Sequence, residues 1–209
     1  MIQLSKKLQN HKEKLSKYLA NIGFASRRSI QNLFKEKTIL LNGNKAKHID
    51  FVKDNDVLTL DGEDYIVELY PETEVLIYHK PTGQVCSNVP TEKNDSVFSH
   101  LPSRKKGKWI MVGRLDVNTS GLLVFSNNGD FVNFLSHPSS KIDREYLCRV
   151  YGDITDKKIE NVTKGVNING EKSSFSDVVA VKKTSKSKNH WFYVCLFTGK
   201  NREVRKIWG

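Results

Sequence analysis

The sequence predicts an α+β protein. A small unit of two helices and a hairpin precedes a larger domain whose helices flank a mixed, mostly antiparallel sheet. Three observations lead there. The first sixty residues carry apolar positions at helical spacing and then an Asn-Gly turn. From residue 74 onward apolar strands and short helices are mixed, without the strict βαβ alternation of a doubly wound fold. Between them lies an acidic bridge, residues 61–79, with six Asp or Glu and no Lys or Arg. These changes divide the 209 residues into a basic tail (1–12), a compact unit (13–60), an acidic linker (61–73) and a larger domain (74–209).

In the first unit, "KLSKYLANIG" puts Leu15, Leu19 and Ile22 on one helical face, and Gly23 is placed to stop that helix. Ser26 is a candidate N-cap for "RRSIQNLFKEK", whose Ile30, Leu33 and Phe34 form a second apolar stripe. Arg27 and Arg28 stand where cations oppose the helix dipole, and phosphate contact would give them another use. Asn42-Gly43 in "TILLNGNKA" signals a tight hairpin turn, and "DVLTLDGE" closes the unit as a strand and turn.

Beyond the bridge, "EVLIYHKPTG", "WIMVGRL" and "GLLVFSN" read as apolar strands. "DFVNFLSH" spaces Phe131, Phe134 and Leu135 as a helix does. "REYLCRVYG" alternates Tyr146, Cys148 and Val150 against Leu147, Arg149 and Tyr151, as a half-buried strand should. "TDKKIENVTKG" is a helix with Thr155 as N-cap and Gly165 as stop. "SFSDVVAVKK" and "HWFYVCLFTG" are two further strands, and "NREVRKIWG" opens a last helix at Asn201.

The net charge of +11, split into two basic stretches by the acidic bridge, suggests two surfaces meeting one polyanion. Nucleic acid is the default polyanion, although a generally lysine-rich chain would carry the same total. Every apolar run falls short of the ~20 residues of a membrane span, and the N-terminus lacks the apolar segment of a secretory signal. No membrane partner is expected. Cys86, Cys148 and Cys195 are scattered without CxxC spacing, which suits reduced thiols in a cytoplasmic protein. Neither metal-ligand spacing nor a Gly-rich phosphate loop is present, so no metal or cofactor is expected.

The stretch "VGRLDVNTSGLLVFSNNGD" raises the sharpest question. Arg114-Leu115-Asp116 ends one apolar strand, and a second resumes at Gly121. Taken alone, Asp, Asn and Thr-Ser are ordinary turn residues. The whole segment, however, resembles the signature of the RsuA/RluB-type ribosomal RNA pseudouridine synthase family. Gly113, Arg114, Leu115, Asp116, Thr119, Gly121, Leu122, Leu123, Asn127 and Gly129 all fall in register. "HKPTGQVCS" is similar to the family's Lys-Pro-x-Gly motif, with Lys80 first. "REYLCRV" aligns Tyr146 with the family's active-site tyrosine, and "GKNREVRK" puts Arg205 where an arginine faces the catalytic Asp. Residues 13–60 resemble the S-four (αL) type of RNA-binding domain. "DVNTSGLL", "REYLCRVYG" and "NREVRKIW" lean toward the RluB branch, which modifies large-subunit rRNA.

The resemblance implies an isomerase that converts a uridine of ribosomal RNA to pseudouridine, without cofactor, as a monomer. It implies Asp116 as nucleophile, Arg205 as the facing cation and Tyr146 as a ring to stack on uracil with a hydroxyl for proton transfer. Without it, Tyr146 would read as a strand tyrosine packed in a core. Arg27, Arg28, Lys35, Asn42 and Lys45 would contact RNA from the first unit, and Lys80, Arg114 and Arg202 from the larger domain, with Arg144 a further candidate. Arg114 would prop the gap left when the target base leaves its stack. The family continues beyond the equivalent of "NREVRKIWG", so a C-terminally incomplete domain is expected, with Ile207 and Trp208 uncovered and stability reduced. The alternative is a non-catalytic RNA-binding or ribosome-assembly factor that keeps the fold without turnover.

Overall fold

A computed structural model describes residues 12–26, 28–69, 72–104, 107–182 and 188–209. Most of the basic tail, and Arg27 among the RNA-contact candidates, lie outside the described residues.

The chain begins with β1 (Glu13–Lys14) and α1 (Leu15–Asn21). Leu15 and Leu19, one turn apart, are both fully buried, as the stripe predicts. Gly23 ends α1 at φ +85°: its N–H donates to Ala20 O and that of Phe24 to Leu19 O, a Schellman closure. α2 (Ile30–Glu36) follows a turn that starts at Ser26. Ser26 Oγ accepts from Ser29 N–H and Ser29 Oγ accepts from Ser26 N–H, both at 3.1 Å, so each serine caps the other.

β2 (Ile39–Leu41), β3 (Asn44–Lys45), β5 (Val57–Leu60) and β6 (Glu63–Ile66) form an antiparallel sheet ordered β3-β2-β5-β6, while β4 (Phe51–Val52) pairs with β1. Asn42-Gly43 and Asp61-Gly62 each hold two successive positive φ angles, the I′ geometry that matches strand twist. The stretch expected as a linker therefore begins inside this sheet. Asp61-Gly62 turns the chain back along β5, and Val67, fully buried, joins the same core as Leu15, Leu58 and Leu60. The acids of β6 are exposed edge-strand residues.

The larger domain realises its sheet as two three-stranded antiparallel sheets with separate cores. In the first, β7 (Val75–Lys80), β9 (Gly121–Ser126) and β8 (Ile110–Met111) lie in that order over Val97, Leu123 and Phe125. α3 (Gly129–Ser136) leaves β9 through Asn128, whose Oδ1 caps Asp130 and Phe131. In the second, β10 (Arg144–Tyr151), β14 (Asn189–Leu196) and β13 (Asp177–Ala180) lie in that order. α4 (Asp156–Lys164) is capped by Thr155 and stopped by Gly165, and the hairpin β11 (Val166–Ile168) and β12 (Glu171–Ser173) follows. α5 (Glu203–Trp208) packs on the second sheet.

The expected uncovered surface at Ile207 and Trp208 is not observed. Ile207 is only 3% exposed, in a core with Val162, Phe175, Phe192, Val194 and Leu196. The Trp208 ring lies 5.0 Å from that of Phe192 and 5.6 Å from that of Phe175. The reason is local: α5 folds its apolar stripe back onto the inner face of β14. Burying such side chains contributes about 1.5–3 kcal/mol each. The Trp208 indole N–H is buried and lacks a hydrogen-bond partner of good geometry; the Cys148 thiol, a weak acceptor, is the group beside it.

Candidate active site

The site forms where the segment between β8 and β9 meets the start of α5. Val112 N–H still bonds to Val124 O, so the ladder runs to the edge of the segment. Thr119 N–H then donates to Asp116 O at 2.9 Å, closing a tight turn from Asp116 to Thr119. The turn predicted from residue types is present, and it aims a carboxylate away from two strands.

Lys80 fixes that turn. It ends β7, is 0% exposed, and its ammonium donates to four carbonyls: Pro81 at 2.8 Å, Asp116 at 3.1 Å, Val117 at 3.3 Å and Thr119 at 2.8 Å. Burial pulls its pKa below the ordinary lysine value, while Cys86 and then Asp116 pull the other way. The carbonyl dipoles also favour the charged form. Lys80 is thus not the RNA contact expected of it: its strand delivers the side chain inward, beneath the turn. Gly83, at φ +92°, donates its N–H to Val117 O at 2.8 Å, and Leu115 N–H reaches Cys86 Sγ at 3.4 Å. The carbonyls of Asp116, Val117 and Thr119 and the N–H of Leu115 are thus anchored from β7 or the loop after it.

Asp116 remains 39% exposed, and two arginines from the far end of the chain meet it. Arg205 Nε donates to Asp116 Oδ2 at 3.1 Å and its Nη2 to Thr119 Oγ1 at 3.3 Å; Arg202 Nε lies 3.9 Å from the same carboxylate oxygen. Arg202 adopts φ +52°, ψ +33°, a left-handed conformation costly for a side-chain-bearing residue. Glu203 supports it. Its carboxylate, 4% exposed, accepts from Thr198 Oγ1 at 2.8 Å and from Lys200 N–H at 2.9 Å, which knots residues 198–203 into one turn. Residue types alone did not single out Glu203; an acid three residues after Lys200 at a helix start is the capping pattern that could have found it.

Tyr146 lies on the inward face of β10, opposite Val194. Burial raises its pKa above the ordinary phenol value, with Arg144 opposing and Glu203 adding. Its hydroxyl has no hydrogen-bond partner among the described residues, so it is a neutral, uncommitted donor. Arg114 is exposed beside the turn. Arg144 is otherwise engaged: its guanidinium donates to Leu135 O at 3.2 Å, Ser136 O at 2.9 Å and Phe197 O, clamping α3 to the end of β14.

In the first unit Arg28, Lys35 and Lys45 are exposed. Asn42 is exposed as well, and its side chain also has a structural task. Its Nδ2 donates to Asp56 Oδ1 at 3.0 Å and its Oδ1 accepts from Val57 N–H at 2.8 Å, stapling the β2–β3 turn to β5. Among the described residues no three His, Cys, Asp or Glu side chains converge as a metal would require.

Residues 74–208 match the family described as RNA pseudouridylate synthase. The chain is 41% identical over 199 residues to the ribosomal large subunit pseudouridine synthase B of Vibrio cholerae, across 94% of this chain and 61% of that protein. Against the protein of the same name in Pseudomonas aeruginosa it is 40% identical over 198 residues, across 94% and 51%. Against that of Buchnera aphidicola subsp. Acyrthosiphon pisum the figures are 38% over 200 residues, 94% and 80%. The chain thus spans 61% and 51% of the length of the first two relatives. In fold it is similar to a pseudouridylate synthase crystal structure, with a TM-score of 0.57 at 18% identity, over 92% of this chain and 80% of that one.

Proposed function

This chain belongs to the RNA pseudouridylate synthase family, and from that premise we propose that it isomerises a uridine of large-subunit ribosomal RNA to pseudouridine, with Asp116 as the nucleophile. The reaction breaks the bond between uracil N1 and ribose C1′, turns the base and rejoins C1′ to C5. The proton on C5 is lost and N1 gains one, so no atom is added or removed and no electron acceptor is needed. Such chemistry asks for one ionised carboxylate beside the sugar, held rigidly and free of water's competing geometry.

The observation that carries this reading is the Asp116–Arg205 pair, at 3.1 Å, on a turn whose carbonyls are pinned by the buried Lys80 ammonium. The guanidinium of Arg205 is planar, and its second nitrogen, bonded to Thr119, sets the plane in which it meets the carboxylate. Tyr146 contributes a ring for the uracil to stack on and a neutral hydroxyl able to donate a proton. Arg114, exposed next to Asp116, fills the stack once the base is extruded. The first unit acts as an S-four-like RNA grip through Arg27, Arg28, Lys35 and Lys45. An rRNA substrate and three unpaired cysteines suit a reducing cytoplasm.

The test is to incubate the chain with unmodified large-subunit ribosomal RNA and map pseudouridine by carbodiimide-dependent primer extension. A stop that appears with wild type and vanishes with Asp116→Asn is the expected result. RNA binding with no stop from wild type would refute turnover and leave an RNA-binding factor.

A further inference from the structure

We propose that Lys17 and Asp130 form a positioning latch, which fixes the angle of the first unit to the Asp116 turn and so sets which uridine reaches the carboxylate; this rests on the pseudouridine-synthase reading above. Lys17 lies on α1, in the first unit, and Asp130 in the first turn of α3, in the larger domain. The Lys17 ammonium donates to both oxygens of Asp130, at 2.9 and 3.0 Å, and pairs with Glu13 of its own unit at 2.9 Å. Burial works against its charge, but the bonds to Glu13 and then Asp130 outweigh it and hold its pKa above the ordinary lysine value. Glu13 thus steadies the ammonium for its partner across the joint.

The rest of the joint explains why one exposed pair matters. Units that meet over a small polar surface move relative to one another by default. Here their connection is short. On the first unit, Leu69 N–H donates to Asp54 Oδ1 at 3.0 Å. On the larger domain, Asn127 Nδ2 donates to Glu72 O at 2.8 Å, Asn127 Oδ1 accepts from Glu74 N–H at 2.9 Å, and Asn128 Nδ2 donates to Thr73 Oγ1 at 2.9 Å. The chain from Leu69 to Glu72 therefore spans at most about 10 Å between two anchored points. A tether of that length limits distance but leaves rotation free. Contacts away from the tether stop the rotation: Lys17 on Asp130, and the end of α1 against residues 107–108, where a methyl group on Gly107 would already touch Asn21 O at 3.5 Å. The latch is also fixed to the frame of the site. α3 runs from Asp130 to Leu135 and Ser136, whose carbonyls Arg144 ties to Phe197 O, one residue before the turn that carries Arg202. RNA held by one unit must present its base at the other, and a misplacement of about 1 Å costs about a hundredfold in rate.

The test reads orientation apart from turnover. Residual dipolar couplings of the backbone amides are measured for the chain without RNA. In wild type the two units should fit one alignment tensor, and in Lys17→Glu they should need two. Lys17→Glu combined with Asp130→Lys, which restores the pair with its charges exchanged, should return to one. Single-turnover pseudouridine formation on unmodified large-subunit ribosomal RNA is followed at saturating RNA, where a weaker grip no longer matters. It should fall about three- to tenfold in Lys17→Glu and recover in the double variant, since a loosened joint still visits the right angle for part of the time. Two tensors in wild type, one tensor in Lys17→Glu, or a double variant no better than the single one overturns the latch. A wild type that makes no pseudouridine would instead sink the activity reading, and a common tensor lost in Lys17→Glu and regained on the exchange would still assign the latch.

Discussion

Replacing Lys80 by Met keeps the length of the side chain and removes its charge, so it isolates what the ammonium does beneath Asp116. Four carbonyls lose a donor, but not equally. Asp116 O still accepts from Thr119 N–H and Val117 O from Gly83 N–H, whereas Pro81 O and Thr119 O have no other donor among the described residues. Two carbonyls are thus left without a partner, at about 1–3 kcal/mol each. Relief of the ammonium's own desolvation, visible as its lowered pKa, offsets part of that. The expected loss is about 3 kcal/mol, a large share of the ~5–15 kcal/mol that holds a domain folded. Urea unfolding measures it as a lower midpoint at unchanged slope, and amide exchange at residues 115–120 should quicken beyond the global loss. Pseudouridine formation should fall even where the variant remains folded, because the carboxylate loses its fixed aim. A destabilisation below about 1 kcal/mol with wild-type turnover would show that Lys80 does not hold the turn, and the reasoning would be wrong.

Two further outcomes follow from the same geometry. Arg205→Lys keeps a cation near Asp116 but cannot reach both Asp116 and Thr119 in one plane; single-turnover rates should drop about a hundredfold while stability moves by less than about 1 kcal/mol, since the pair is half-exposed. A near-normal rate would remove Arg205 from the machinery. Tyr146 should ionise later than an ordinary phenol at 10.0, chiefly because of burial. The folded state favours its neutral form, so its stability contribution is intact below pH 10.0 and is lost as pH rises through the higher folded value. Titration at the phenolate absorbance, compared with Tyr146→Phe, should place the missing component above the ordinary 10.0; a component at or below that value would mean the ring is solvated.

Local signals carried much of the fold. Gly23, Asn42-Gly43, Thr155 and Gly165 all act where their residue types predict, because a cap or turn is decided by a few neighbouring backbone groups; α2 instead begins at Ile30 after Ser29, with Ser26 bonded to Ser29 in the turn before it. The Asp116 turn was legible for the same reason, and Tyr146 and Arg205 through the resemblance of the segments that hold them. Roles that depend on distant partners were not legible in this way. Lys80 looked like a phosphate contact because a lysine after a strand usually ends in water; three of its four acceptors lie more than thirty residues on, in the turn before β9. That Asn42 also staples its turn to β5 was not legible, because nothing local shows that Asp56 and Val57 return beside it.

What the sequence determined by itself is the set of local conformations and the chemical kinds of side chain: an α+β chain, a carboxylate on a turn, an arginine on a late helix. Periodicity and capping act over a few residues, so they can be read in line. Only the tertiary structure decided which of those side chains meet. Burial turned Lys80 from a surface charge into the anchor of the Asp116 turn, carried β6 into the first unit's sheet, and folded Ile207 and Trp208 onto β14 where exposed apolar surface was expected. A strained backbone at Arg202, held by the buried Glu203, set two arginines against one aspartate, Arg205 from 89 residues along the chain. Distances of that kind arise from packing, and packing is a property of the whole chain at once.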